Sequence, residues 1–65
     1  MKFRKALETM GDVLDDGIVF VRYVGEPAKE SRMMPVWMAN RLFRPSLSVD
    51  AVRFLEDGMH EYVLR

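Results

Sequence analysis

The sequence predicts a small single α+β domain, and three observations carry that expectation. Phe3, Leu7, Met10 and Leu14 fall at i, i+4, i+7 and i+11, the stripe of an amphipathic helix. Ile18-Val19-Phe20-Val21-Arg22-Tyr23-Val24 is a β-branched and aromatic run that reads as a strand. The chain has 65 residues, room for one compact domain over 1–65 and no more. The expected elements are an N-terminal helix, a two- or three-stranded antiparallel sheet (18–24, 59–64 and a short extra strand near 29–34), and a helical pair at 35–44 and 48–57.

The first helix has its charges reversed. Lys2, Arg4 and Lys5 occupy its first turn, while Asp12, Asp15 and Asp16 gather beyond its end, opposing the macrodipole at both termini. A stop at Met10 capped by Gly11, or at the latest by residue 15, removes half of that conflict. Asp15-Asp16-Gly17 then turns the chain into the strand, which is apolar on both faces except for Arg22. Such a strand wants cover on both sides, and short helices can supply only one.

Gly25 to Glu30 is a loop by composition. Residues 33–44 are readable as strand or helix: Met33 and Met34 could end a second strand, and Pro35 suits the first turn of a helix that Pro45 closes. Met38/Leu42 and Ala39/Phe43 are i, i+4 apolar pairs there, which sets Trp37, Arg41 and Arg44 on the opposite side. Ser48 is an N-cap candidate for 49–56, with Asp50 in the first turn and Gly58 as the stop. The alternative is a strand over 52–56 with Asp57-Gly58 as a hairpin turn; the capped start favours the helix. Met59 to Leu64 alternates Met59/Glu61/Val63 against His60/Tyr62/Leu64, a final strand beside the first.

Ten basic and ten acidic side chains cancel, so bulk charge gives no reason to expect a nucleic-acid or membrane-surface binder. The balance is uneven along the chain: 11–17 is purely acidic, whereas 31–48 contains Arg32, Arg41 and Arg44 and no acid. Cysteine is absent and His60 is the only histidine, which excludes disulfides and a cysteine/histidine zinc site. No signal-peptide pattern or membrane-length apolar run occurs, in keeping with a cytoplasmic chain. With 49% apolar residues and so short a length, dimerisation is one way to complete the core.

Catalytic chemistry finds little support. His60 and Glu61 point to opposite faces of a strand, the serines suit turns and caps, and the four glycines form no phosphate loop. Asp12, Asp15 and Asp16 lack the alternation and terminal glutamate of an EF-hand loop. They read as a solvated acidic patch that could pair with a basic partner. No enzyme activity, metal or cofactor is expected.

Ser48-Val49-Asp50-Ala51-Val52-Arg53-Phe54-Leu55-Glu56 resembles the second helix of MerR-type regulators and phage excisionases, with Ala51 where that pattern has threonine. The resemblance implies a winged-helix or helix-turn-helix DNA binder with Ser48, Val49 and Arg53 against the duplex. Against it, the segment is net acidic, and DNA affinity rests on neutralising phosphates.

The stretch Ser31–Ser48 interleaves its arginines with Met33, Met34, Trp37, Met38 and Phe43. Tryptophan and arginine lead interface hot spots, and methionine adapts its shape there. A lone tryptophan is often core, but the helical reading leaves Trp37 outside the apolar stripe. The expectation is a small non-catalytic protein–protein interaction module, regulatory or inhibitory and self-associating as a homodimer. Arg32, Met34, Trp37, Arg41 and Arg44 form its partner surface, and Asp12, Asp15 and Asp16 form an opposite-signed patch.

Overall fold

Loop carbonyls, rather than side-chain caps, start both helices. The computed structural model describes residues Met1–Arg65, with the first helix, α1, over Phe3–Thr9. No acidic residue and no side-chain cap serves its first turn. Instead the Phe3 N–H donates to the Leu47 carbonyl at 2.8 Å and the Arg4 N–H to the Pro45 carbonyl at 3.1 Å. With those orphan donors met by backbone, Lys2, Arg4 and Lys5 are tolerated where an acid would be favoured. The helix ends as its glycine signal predicts, with Met10 as C-cap and Gly11 at φ 79°, a left-handed conformation that suits glycine.

The remaining elements are β1 (Ile18–Tyr23), β2 (Arg32–Pro35), α2 (Val36–Leu42), β3 (Val49–Phe54) and β4 (His60–Leu64), with 3-10 turns at Ala28–Glu30 and Glu56–Gly58. The α+β class stands. The sheet has four strands rather than two or three, in the order β2-β1-β4-β3. It is mixed: β1/β2 and β3/β4 are antiparallel hairpins, and the two central strands, β1 and β4, run parallel. The C-terminal strand therefore lies beside the first, as expected, but not antiparallel to it. Parallel pairing follows from the connection, in which α2 carries the chain from edge strand β2 across to edge strand β3.

The expected helix at 48–57 is a strand and a turn. Val49 opposes Leu64 and Val52 opposes Tyr62, so both valines belong to the face the helices cover. Residues three apart normally point to opposite faces of a strand. A β-bulge reconciles the two: Val49 and Ala51 oppose the consecutive residues Leu64 and Val63, leaving Asp50 as the extra residue. The bulge thereby gives a strand the i, i+3 apolar spacing of a helix. Ser48 caps nothing; it forms an isolated bridge with Lys2. Asp57 and Gly58 take φ 65° and 76° and turn the chain into β4, as the hairpin alternative required.

One face of the sheet holds the core. Val19 and Val21 from β1, Met34 from β2, and Tyr62 and Leu64 from β4 pack against Phe3, Ala6 and Leu7 of α1 and Val36 and Ala39 of α2. Phe3 meets Phe43 and Tyr62 edge-on, with ring centroids 5.8 and 5.7 Å apart. The other face carries Ile18, Phe20, Arg22, Met33, Glu61 and Val63, and no helix covers it. No helix is long and apolar enough to cross a membrane.

Candidate interaction surface

α2 buries Val36 and Ala39, with Phe43 following it into the core, and presents Trp37, Arg41 and Leu42 outward. Trp37 is 45% exposed, so it is not a core residue. Of the two expected apolar pairs, Ala39/Phe43 is buried and Met38 packs half-buried against the core, whereas Leu42 is turned to solvent and Val36 joins the buried side instead. Arg41 and Arg44 are exposed on the same element and the turn after it. Neither makes a side-chain hydrogen bond or ion pair, whereas each of the other arginines does: Arg4 with Asn40, Arg22 and Arg53 with Glu61, Arg32 with Glu26, and Arg65 with Asp50.

Two of the expected surface residues lie elsewhere. Met34 is a core residue, 4% exposed, because its register opposite Val19 puts it on the covered face. Arg32 is committed to a two-pronged ion pair with Glu26, its Nη2 2.9 Å from Oε2 and its Nη1 3.2 Å from Oε1. Hydrogen bonding to Arg32, then to the Tyr23 N–H, holds the Glu26 carboxyl below the usual range.

The acidic patch divides as well. Asp12 is drawn inward, its Oδ2 2.8 Å from His60 Nδ1 and accepting a hydrogen bond from the Tyr62 hydroxyl. Burial first, then the bond to Asp12, pushes the Tyr62 phenol up from its ordinary 10.0. Asp15 and Asp16 stay exposed and unpaired, and their place resolves the reversed charges of the sequence. The Trp37 N–H donates to the Asp15 carbonyl at 3.1 Å and the Val36 N–H to the Gly17 carbonyl at 2.8 Å. The acidic turn therefore sits at the N-terminus of α2, where negative charge is favourable, rather than prolonging α1. The same loop exposes Val13 and Leu14.

On the uncovered sheet face, Glu61 is 2% exposed and lies between Arg22 and Arg53, each 3.2 Å away. The Ser31 hydroxyl, buried and without a well-formed hydrogen bond of its own, borders the same carboxylate. This triad was legible only in outline. Arg22 is the one charge in an apolar strand and Glu61 the one acid in the last, a hint of cross-strand pairing that needs the register to become a contact.

No pocket indents the surface, and no three His, Asp or Glu side chains gather as metal ligands. No family model matches the chain, and neither does any curated protein or solved structure. The segment that resembles the MerR and excisionase helix is β3, so the recognition helix implied by that resemblance does not form.

Proposed function

We propose that the chain is a small non-catalytic protein–protein interaction module of regulatory kind, with the outer flank of α2 as its binding surface. One observation carries this reading. An exposed tryptophan stands beside the only two arginines that the fold leaves without a partner. A half-exposed indole flanked by free guanidinium groups offers apolar area and planar donors to a partner at little internal cost. The acid-lined end of α2 and the loss of the recognition helix favour a protein over DNA as that partner.

The test is site-specific photo-crosslinking in the native host, with a benzophenone amino acid at position 37, 41 or 29. Polypeptide adducts from Trp37 and Arg41, and none from the exposed Lys29 turn, are the expected result. Adducts to nucleic acid alone, or none from position 37, would overturn the reading. Trp37→Ala is expected to leave the fold intact at a cost of about 1 kcal/mol, since the ring is only half-buried. Thermal melting followed by circular dichroism checks that.

A further inference from the structure

Resting on that reading of the α2 flank, we propose that its partner is a second copy of this chain, packed across a two-fold axis with the two α2 helices antiparallel. The argument comes from where the unpaired charges lie. At the end of the sheet where β1 and β4 begin are Asp15, Asp16, Glu56 and Asp57, none of them in an ion pair. At the other end, where α1 begins and α2 finishes, are Lys2, Lys5, Arg41 and Arg44, also unpaired, while Lys29 and Glu30 of the β1–β2 loop at that end offset one another in charge.

α2 spans from the acidic end towards the basic one, about 10 Å for its seven residues. Antiparallel apposition sets the Asp15–Asp16 turn of each copy against Arg41 and Arg44 of the other, with Trp37 and Leu42 between. Parallel apposition sets like against like. The same patch serves both copies, so the assembly closes at two. The charges also suit the macrodipole of α2 itself. That accounts for their position but leaves Trp37, Leu42 and Leu14 in water. The uncovered sheet face has no comparable signature, because its charges satisfy one another in the Arg22–Glu61–Arg53 triad.

Charge reversal distinguishes the arrangements, read by light scattering and sedimentation over a concentration series. The wild-type chain is expected at twice its 7.6 kDa mass. Asp15→Lys with Asp16→Lys, or Arg41→Glu with Arg44→Glu, is expected to weaken pairing by about tenfold or more, since attraction becomes repulsion at both ends. Mixing these two variants, or combining all four changes in one chain, restores the dimer. Trp37→Ala weakens pairing without altering charge.

A wild-type chain that stays monomeric to the limit of solubility overturns the self-pairing. It leaves the module reading to the crosslinking test, where adducts to a different polypeptide would still support it. A dimer indifferent to both reversals, or one that mixing does not restore, overturns the antiparallel geometry. Growth beyond two overturns it as well, since head-to-tail stacking of acidic on basic ends does not close.

Discussion

Glu61 shows how much one side chain can hold in a domain this small. Burial opposes its charged form, but the guanidinium charges of Arg22 and Arg53, with the hydrogen bond donated by Arg53, outweigh that cost. Its carboxyl therefore titrates below its ordinary 4.5. A group depressed in the folded state contributes stability that is whole above the unfolded value and is lost as pH falls below it. Glu61→Gln should cost about 2 kcal/mol at neutral pH, mainly by leaving the partly buried Arg22 guanidinium, which still donates to the Glu26 carbonyl, without a countercharge. In melts between pH 7 and 3, the gap between wild type and variant should narrow as acid is added. A gap that stays constant would mean the charge contributes nothing. Tyr62 acts in the opposite range. Its raised phenol gives stability that is complete below 10.0 and lost as pH rises above it, and Tyr62→Phe should abolish that alkaline loss.

At the scale of elements, β3 is where sequence and structure part, and the cause is physical. Periodicity separates helix from strand only while the strand is regular, and Asp50 interrupts it. With the bulge in place, Val49 and Val52 present a helical spacing, and Ser48 and Gly58 look like its two stops. The Asp57-Gly58 turn was readable all along, since two successive positive φ angles suit an Asp-Gly pair. Two substitutions discriminate strand from helix. Ser48→Ala should change stability by less than about 0.5 kcal/mol, against about 1 kcal/mol for a working N-cap. Ala51→Thr, exposed on the strand, should stabilise by up to about 1 kcal/mol, whereas in a helix it would destabilise. Urea titrations of both variants give the answer. The remaining elements were legible from local signals: the Phe3/Leu7/Met10 part of the α1 stripe with its Gly11 stop (Leu14 lies beyond the helix, exposed), the apolar run of β1, and Pro35 at the entry to α2.

For the molecule as a whole, a balanced charge conceals a polar one. The total of ten against ten is silent on geometry, and the sequence shows only that acid and base alternate along the chain. Folding gathers Asp15, Asp16, Glu56 and Asp57 at one end and Lys2, Lys5, Arg41 and Arg44 at the other, where Glu30 also lies, because α1 and α2 run in opposite directions across one face and each begins against the loop that follows the other. That sorting was not readable beforehand, since it depends on the parallel pairing of β1 with β4, strands separated by most of the chain. The composition did point to an incomplete core. Helices cover a single face, where eleven buried side chains form the hydrophobic cluster and five partly buried ones pack against it. Phe3 joins α1 to Phe43 and Tyr62, so Phe3→Ala should cost about 3–4 kcal/mol, a large share of what a domain of this size has. The expected outcome is a chain largely unfolded at 37 °C, visible as collapsed amide dispersion by NMR; a well-dispersed spectrum would mean the core lies elsewhere.

The bulge also makes β3 tolerant of a shortened chain where two of its residues, Asp50 and Ala51, oppose the single Val63. Removing Asp50 would leave Val49 opposite Leu64 and Ala51 opposite Val63 in an ordinary ladder, so every side chain keeps its face, at the expense of the Arg65–Asp50 ion pair. Removing Val52 instead would break the alternation beyond the bulge and take a packed side chain off the covered face. Single-residue deletions in β3 should therefore be accepted at Asp50 and rejected at Val52, and the gap in a length-varied family of such chains would fall where the strand has one residue to spare.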